Sequence, residues 1–361
     1  MAKGAYIHIP FCKSICSYCD FCKMLYVNDW VNDYLKALYK EIKEYYSGEE
    51  LETIYIGGGT PSSLKPNQLE VLFKILSVFK KHKDCEITFE CNISDISVQL
   101  LNILHKNNVN RLSIGIESFD KKKLEFMKRE ADFKDTKEKI ELCRKYKFDN
   151  ISVDLIYAIP GENLKTLKND IKQILKLKPD HISTYSLIVE DHTVVGIQDV
   201  ESIPEDLEYD MYDYIMDVLE VNGYKQYEIS NFAKKGKESK HNLTYWNNEE
   251  YYGFGLGASG FIDKIRYDNT KNFNKYIKGE YRANAEFLSK KNDMDNELML
   301  GLRKIQGINV ETFNKKFDTD IYKEYPIQDL IKNKDLKYKK GYIFINPDKL
   351  YIMNEILIKL V

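Results

Sequence analysis

Tyr6-Ile7-His8-Ile9-Pro10-Phe11-Cys12-Lys13-Ser14-Ile15-Cys16-Ser17-Tyr18-Cys19 decides the reading of this chain. Its first half is β-rich. Its second half spaces three cysteines as C-x₃-C-x₂-C just past that strand. Three thiolates so close in sequence can wrap one corner of a compact soft-metal site. A four-iron cube held by three thiolates keeps one iron open, by the logic that leaves a catalytic zinc a vacant position. The competing reading is a zinc knuckle with Cys22 as fourth ligand, although structural zinc ligands usually form two pairs about a dozen residues apart. Cys22 reads either as a spare thiol or as a ligand in some redox state. The other cysteines of the seven, Cys85, Cys91 and Cys143, are scattered and read as buried thiols.

Working outward, strands are expected at residues 5–9, 53–56, 86–90, 111–117, 152–158 and 181–189, with helical spacing between them. Tyr34, Leu35, Leu38, Tyr39, Ile42 and Tyr45 mark one face of the first helix; Leu69, Leu72, Phe73, Leu76 and Phe79 mark the second. Repeated strand–helix units imply parallel strands with right-handed crossovers. Val153-Asp154-Leu155-Ile156-Tyr157 is apolar on both sides, as in a sheet covered on both faces. The expected fold class is α/β, an open or partial (β/α)6 barrel with its chemistry at the C-terminal ends of the strands.

After about residue 200 the pattern changes. A helix over 205–221 precedes a polar, aromatic, Gly-containing stretch, 224–260. Two helical patches follow from about 292, then a hairpin at 336–346 and a closing helix at 348–360. We divide the chain at 1–200, 201–285 and 286–361, the last a small α+β domain.

Composition narrows the function. The chain has 361 residues, 43% hydrophobic and 30% charged, and 54 Lys+Arg balance 56 Asp+Glu. This balance argues against a nucleic-acid partner, which needs a basic face. No apolar run approaches the roughly 18 residues of a membrane span, and no secretory signal is evident. A cytoplasmic protein with thiols rather than disulfides is expected.

Candidate ligand-binding residues sit at the strand ends. Gly57-Gly58-Gly59-Thr60 follows the second strand, where missing side chains let backbone approach a ligand. Glu90, Glu117 and Asp154 close the next three strands, a ring of acceptors around one mouth or else loop caps. Arg129, in Lys128-Arg129-Glu130, is a candidate partner or a solvated ion pair. Tyr227-Glu228-Ile229-Ser230-Asn231-Phe232-Ala233 and His241-Asn242-Leu243-Thr244-Tyr245-Trp246 place one imidazole among aromatics. Such a histidine can ligate haem iron or lie at the surface beside a packed Trp.

The strand and cysteine loop resemble the radical S-adenosylmethionine superfamily, and more narrowly the oxygen-independent coproporphyrinogen III oxidase-like group. The resemblance implies a [4Fe–4S] cluster on Cys12, Cys16 and Cys19, whose open iron is chelated by S-adenosylmethionine. Reductive cleavage of that cofactor then yields a 5′-deoxyadenosyl radical, chemistry that the cofactor carries and the protein positions. It implies cofactor contacts from Tyr6, Tyr18, Phe21, Gly58, Gly59, Thr60, Glu90, Glu117, Arg129 and Asp154. Glu117 departs from the group, where Gln is common; a carboxylate accepts but cannot donate unless protonated.

Y-E-I-S-N-F-A and H-N-x-x-Y-W resemble the HemW haem chaperone branch. Phe21 stands where the oxidases carry a fourth cysteine. With its first strand at residue 5, the chain is also expected to lack their N-terminal extension. Ser259 stands where the branch often has His, so His241 or another group must hold haem. The resemblance thus implies haem as ligand, with His241, Tyr245 and Trp246 as candidate contacts. It also implies an acceptor protein, an electron donor, and a winged-helix-like C-terminal domain of HemN type. Two other readings stand: a radical enzyme that decarboxylates a porphyrinogen or methylates a tetrapyrrole, and a structural metal site on a barrel scaffold.

Overall fold

The computed structural model describes residues 1–198 and 200–360; Asp199 and Val361, the last residue of the expected third domain, lie outside the described residues. Strands and helices alternate as the periodicity predicts. The order is β1 (Gly4–Ile9), α1 (Asn28–Tyr45), β2 (Glu50–Gly58), α2 (Pro66–Leu76), β3 (Lys80–Asn92), α3 (Val98–Lys106), β4 (Arg111–Glu117), α4 (Lys121–Met127), α5 (Phe133–Lys145), β5 (Ile151–Tyr157), α6 (Leu164–Leu177) and β6 (His181–Ser186). β1 to β6 pair in sequence order, all parallel. Ser97 and Asn163 cap α3 and α6 by accepting the Leu100 and Thr166 amides, so both helices begin at the side chains best suited to orphan N–H groups.

The second half extends this sheet. After α7 (Val194–Ile197) and α8 (Glu205–Val221) come β7 (Lys225–Glu228), β8 (Asn231–Ala233), α9 (Lys240–Trp246), β9 (Tyr251–Phe254), β10 (Ser259–Ile262), β11 (Ile265–Asn269) and β12 (Arg282–Phe287). β9 runs parallel to β1, and β8 antiparallel to β6. The result is one 12-stranded sheet, β12-β11-β10-β9-β1-β2-β3-β4-β5-β6-β8-β7, whose hydrogen-bonded order remains open. The polar, aromatic stretch at 224–260 thus contains β7, β8, β9, the start of β10 and helix α9.

A buried carboxylate fastens the extension to the first helix. Glu41 of α1 accepts from the Gly255 amide at 2.8 Å, Asn269 Nδ2 at 2.6 Å, the Tyr276 hydroxyl at 2.6 Å and Arg282 at 3.1 Å. It lies among Val31, Tyr34, Leu35, Leu38 and Ile42 on the buried face of α1. Tyr39 and Tyr45, expected on that face, are exposed at its edges.

One apolar core runs from Ala2 to Tyr281, so the division near 200 falls inside it. A second, from Met294 to Leu360, belongs to the C-terminal region. There Ile308–Asn309, Tyr342–Ile345 and Leu336–Lys339 form a three-stranded sheet. The closing helix is shorter than expected, Met353–Ile358 behind a 3₁₀ turn at Pro347–Lys349. Among the described residues no helix is long and apolar enough to cross a membrane.

Candidate functional site

The C-terminal ends of the parallel strands surround a cavity of about 550 Å³. Cys12, Cys16, Cys19, Tyr18 and Phe21 line it from the loop after β1. Gly58, Gly59, Thr60, Glu90, Glu117, Arg129 and Asp154 line it from the following strands and loops. The cysteine loop is pinned at its neck, where Phe11–Cys12 pairs with Met24–Leu25. It is pinned again where Ser17 donates to the Phe126 carbonyl at 2.6 Å. All seven cysteines are free thiols. The Thr60 hydroxyl donates to Cys12 Sγ at 3.5 Å, and Arg129 to Cys16 Sγ at 3.8 Å. Cys22 is absent from the lining; its carbonyl accepts from His8 Nε2 at 2.7 Å, and its side chain packs beside Gly257. Phe21 is 66% exposed and stands at the rim of the cavity.

The glycines also make room for neighbouring side chains. A Cβ on Gly58 would stand 2.5 Å from the His8 ring, and Gly58 has φ +114°. One on Gly57 would stand 2.7 Å from the Glu90 carboxylate. Their missing side chains make room for His8 and Glu90, while Gly58 and Gly59 themselves line the cavity. Glu90 accepts from the Gly58 amide at 3.0 Å and the Tyr55 hydroxyl at 2.7 Å.

Glu117 sits at a register shift between β4 and β5, with φ +66°. Such a bulge re-aims a side chain, and the Glu117 carboxylate stands 3.4 Å from Arg129. Arg129 also donates to the Gly115 carbonyl at 2.7 Å. The solvated ion pair considered for Arg129 is therefore mostly buried and built into the wall. Burial pushes the Glu90 and Glu117 carboxyls up to about 7 and Asp154 up to about 6. Each wall carboxyl can thus be a donor as well as an acceptor near neutrality.

Sequence reasoning missed Tyr55, Arg111, Ser113, Ser183 and Asn242, all in the lining. Arg111, Ser113, Gly115 and Glu117 alternate along β4, and strand alternation sends them to one face. That signal was present, but polar residues on a doubly covered strand were read only at its end. Arg111 is 2% exposed and its Nε has no hydrogen-bond partner.

Four expected residues lie elsewhere. Tyr6 lies behind the wall: its hydroxyl meets His8 Nδ1 at 2.9 Å and its ring packs against Tyr55. His241, Tyr245 and Trp246 belong to α9, which packs at Gly4, Thr53 and Glu86 of β1 to β3 and reaches the cavity through Asn242. His241 is 1% exposed; its Nδ1 meets Thr53 Oγ1 at 2.8 Å and its Nε2 the Tyr245 hydroxyl at 2.7 Å. Its ring stacks on Tyr55, and its amide donates to Glu86. Burial pulls His241 down to about 3. Both His241 ring nitrogens are thus engaged within the protein, by Thr53 and Tyr245. Tyr245 holds that ring, and Trp246 lies under the Arg303 guanidinium, 5.9 Å from its ring centre.

Residues 6–174 match the Radical SAM superfamily model. Over 347 residues the chain is 43% identical to the haem chaperone HemW of Lactococcus lactis subsp. lactis (strain IL1403), covering 92% of this chain and 90% of that one. The chain belongs to the HemW family. HemW of Bacillus subtilis (strain 168) is 39% identical, with coverage of 98% and 96%. HemW of Escherichia coli (strain K12) is 32% identical, with coverage of 76% of each chain. The α/β fold, with its mostly parallel sheet, is that of coproporphyrinogen III oxidase (HemN) from Escherichia coli. That structure superposes with TM-score 0.86 at 20% identity, covering 99% of this chain and 89% of that one. The family resemblance read from the cysteine loop and from the Tyr227–Trp246 motifs is thereby shown.

Proposed function

We propose that this HemW-family chain holds a [4Fe–4S] cluster and S-adenosylmethionine at the cavity mouth, binds haem, and hands it to an acceptor protein in the cytoplasm. One observation carries the reading: three free thiols face a single cavity whose other walls are Gly58, Thr60, Glu90, Glu117, Arg129 and Asp154.

The donor set fits the cluster. Cys12, Cys16 and Cys19 all line one cavity, and three soft thiolate donors suit an iron–sulfur cluster. When bound, the cluster would present an open iron to the amino and carboxylate groups of S-adenosylmethionine. The Thr60 and Arg129 donors to sulfur would offset thiolate charge. Glu90, oriented by Tyr55 and Gly58, would accept ribose hydroxyls. The Glu117–Arg129 pair and Asp154 would hold the remaining polar groups. Seven unpaired cysteines support a reducing compartment, and an electron donor there would be the cluster's reductant.

The test is anaerobic reconstitution with iron and sulfide analysis, then haem titration and transfer to a haem-free acceptor. About four irons per chain, a Soret shift at micromolar haem and its transfer support the reading. Tightly held zinc or no haem uptake refutes it. A second reading, a radical enzyme acting on a porphyrinogen, draws on Arg111, a buried cation with no ion-pair partner among the described residues, at the cavity wall. A carboxylate-bearing substrate would pair with it. Formation of 5′-deoxyadenosine and CO₂ from coproporphyrinogen III would favour that reading, and the absence of both would remove it.

A further inference from the structure

Along β2 to β5 every second residue joins the apolar core, as Ile54, Ile87, Leu112 and Val153 do. A parallel sheet covered on both faces usually carries apolar side chains on both. The other face of this one is polar. Pairing sets Tyr55, Thr88 and Arg111 side by side in one row, and Glu90, Ser113, Ser152 and His181 in the next. The cavity follows this face past Ser113 and Ser183 to Arg111, and to Asn242 of α9.

Arg111 lines the cavity yet is 2% exposed, and its Nε meets no acceptor. Among the described residues no carboxylate pairs with its guanidinium. Glu90 is held instead by Tyr55 and Gly58. Glu90 and Asp154 feel the cation without an ion pair to it: it draws both carboxyls down against the larger upward push of burial. The neighbouring imidazoles add no negative charge. His181 is bonded by Ser152 and Tyr227, His241 by Thr53 and Tyr245, and the Arg111 charge helps burial to keep both neutral. Thr88, beside Arg111 in register, is 0% exposed with no partner for its hydroxyl.

An arginine cannot shed its charge in a protein, and a buried charge without a partner is costly to hold. A guanidinium left open on a cavity is therefore poised for a partner from outside, and its fork matches a carboxylate. Glu90 and Asp154 face the same cavity, so a second negative charge on the ligand would be repelled. That selects a carboxylate over a phosphate. Ser113, Ser183 and Asn242 in the same lining offer hydroxyl and amide partners to the rest of the molecule. Arg111 starts about 13 Å down β4 from Gly115, whose carbonyl holds Arg129 beside the cysteine loop.

We propose that Arg111 anchors a small polar monocarboxylate in the lower part of the cavity, at a site separate from those of the cluster and S-adenosylmethionine. The site needs neither haem uptake nor a porphyrinogen.

The test is calorimetric titration of lactate, lactamide and inorganic phosphate into the cluster-reconstituted protein, freed of carboxylate buffers, with and without saturating S-adenosylmethionine. Lactate binds. Lactamide, the same molecule without the charge, and phosphate bind at least about tenfold more weakly. The cofactor leaves the lactate midpoint unchanged. Arg111→Met weakens lactate binding at least about tenfold. Without lactate that variant melts no lower than wild type, because the charge it has lost had no partner. Equal binding of lactate and lactamide, displacement of lactate by the cofactor, or unchanged binding in Arg111→Met overturns the site. So does a lower melt of Arg111→Met, which would make the arginine a structural counter-ion of Glu90 and Asp154. Phosphate binding tighter than lactate overturns the carboxylate assignment. Lactate bound by a protein that takes up no haem refutes the haem reading and leaves this site standing.

Discussion

Replacing Lys123 with Met removes one cation from a buried three-charge cluster beneath the cofactor wall. Lys123 Nζ stands 2.6 Å from Glu162 and 3.0 Å from Asp170, with all three side chains at most 4% exposed. Met keeps most of the apolar stem and deletes the charge. At an effective dielectric of about 20, each pair at 3 Å is worth roughly 5 kcal/mol before desolvation, and removing one partner of a buried pair costs about 3–5 kcal/mol net. Asp170 keeps the Ser118 hydroxyl at 2.6 Å and the Phe119 amide at 2.8 Å, and Glu162 keeps the Ile159 amide at 3.1 Å. These surviving bonds put the expected loss near the lower end, about 3 kcal/mol, against a typical domain stability of about 5–15 kcal/mol. Urea unfolding followed by fluorescence measures it. Burial already pushes the Glu162 carboxyl up, and Lys123 opposes that. Without Lys123 the folded state binds the Glu162 proton more tightly than the unfolded state. Stability is then lost as pH rises, and the deficit is larger at about pH 7.5 than at about pH 5.5. Ser118 and Phe119 follow Glu117 directly, and the Arg129 amide bonds the Leu124 carbonyl at 2.8 Å, so cofactor affinity falls too. A deficit under about 1 kcal/mol, or one independent of pH, refutes this account of the cluster.

Other expectations are direct. Cys12→Ala, Cys16→Ala and Cys19→Ala each lose bound iron, whereas Cys22→Ala, whose thiol packs on Gly257, retains it; iron analysis after anaerobic reconstitution decides both. Gly58→Val drives a side chain into the His8 ring from a left-handed φ, so the thermal melt falls along with cofactor binding, rather than binding alone. The Glu90 carboxyl is raised from 4.5 to about 7 in the folded chain. Its neutral form therefore favours folding, and stability from this group is lost as pH climbs from about 4.5 through about 7. Glu90→Gln flattens that part of the stability–pH curve, and an unchanged curve would show that Glu90 is already ionised.

The α/β alternation was legible because every expected strand from β1 to β6 overlaps an observed one, although β2 and β3 run longer than expected (Glu50–Gly58, Lys80–Asn92) and β6 ends earlier, at Ser186. The site ring was legible for a related reason: parallel strands put their C-terminal ends together, so Cys12, Gly58, Glu90, Glu117 and Asp154 had to meet. Two features were not. β9 looked like an aromatic, glycine-rich loop because Tyr251-Tyr252-Gly253-Phe254 is short and its partner, β1, is some 247 residues away. Pairing that remote leaves no local period to read. The Arg111 side chain was hidden by the same double covering that made β4 recognisable, since both faces of a buried strand look alike in sequence.

His241 shows why motif and geometry can part. An imidazole followed four residues later by Tyr, in a polar setting, has the composition of a ligand site and equally of a buried hydrogen-bonded floor. What separates them is whether the ring nitrogens meet solvent or protein, and the deciding partner, Thr53, lies 188 residues away on β2.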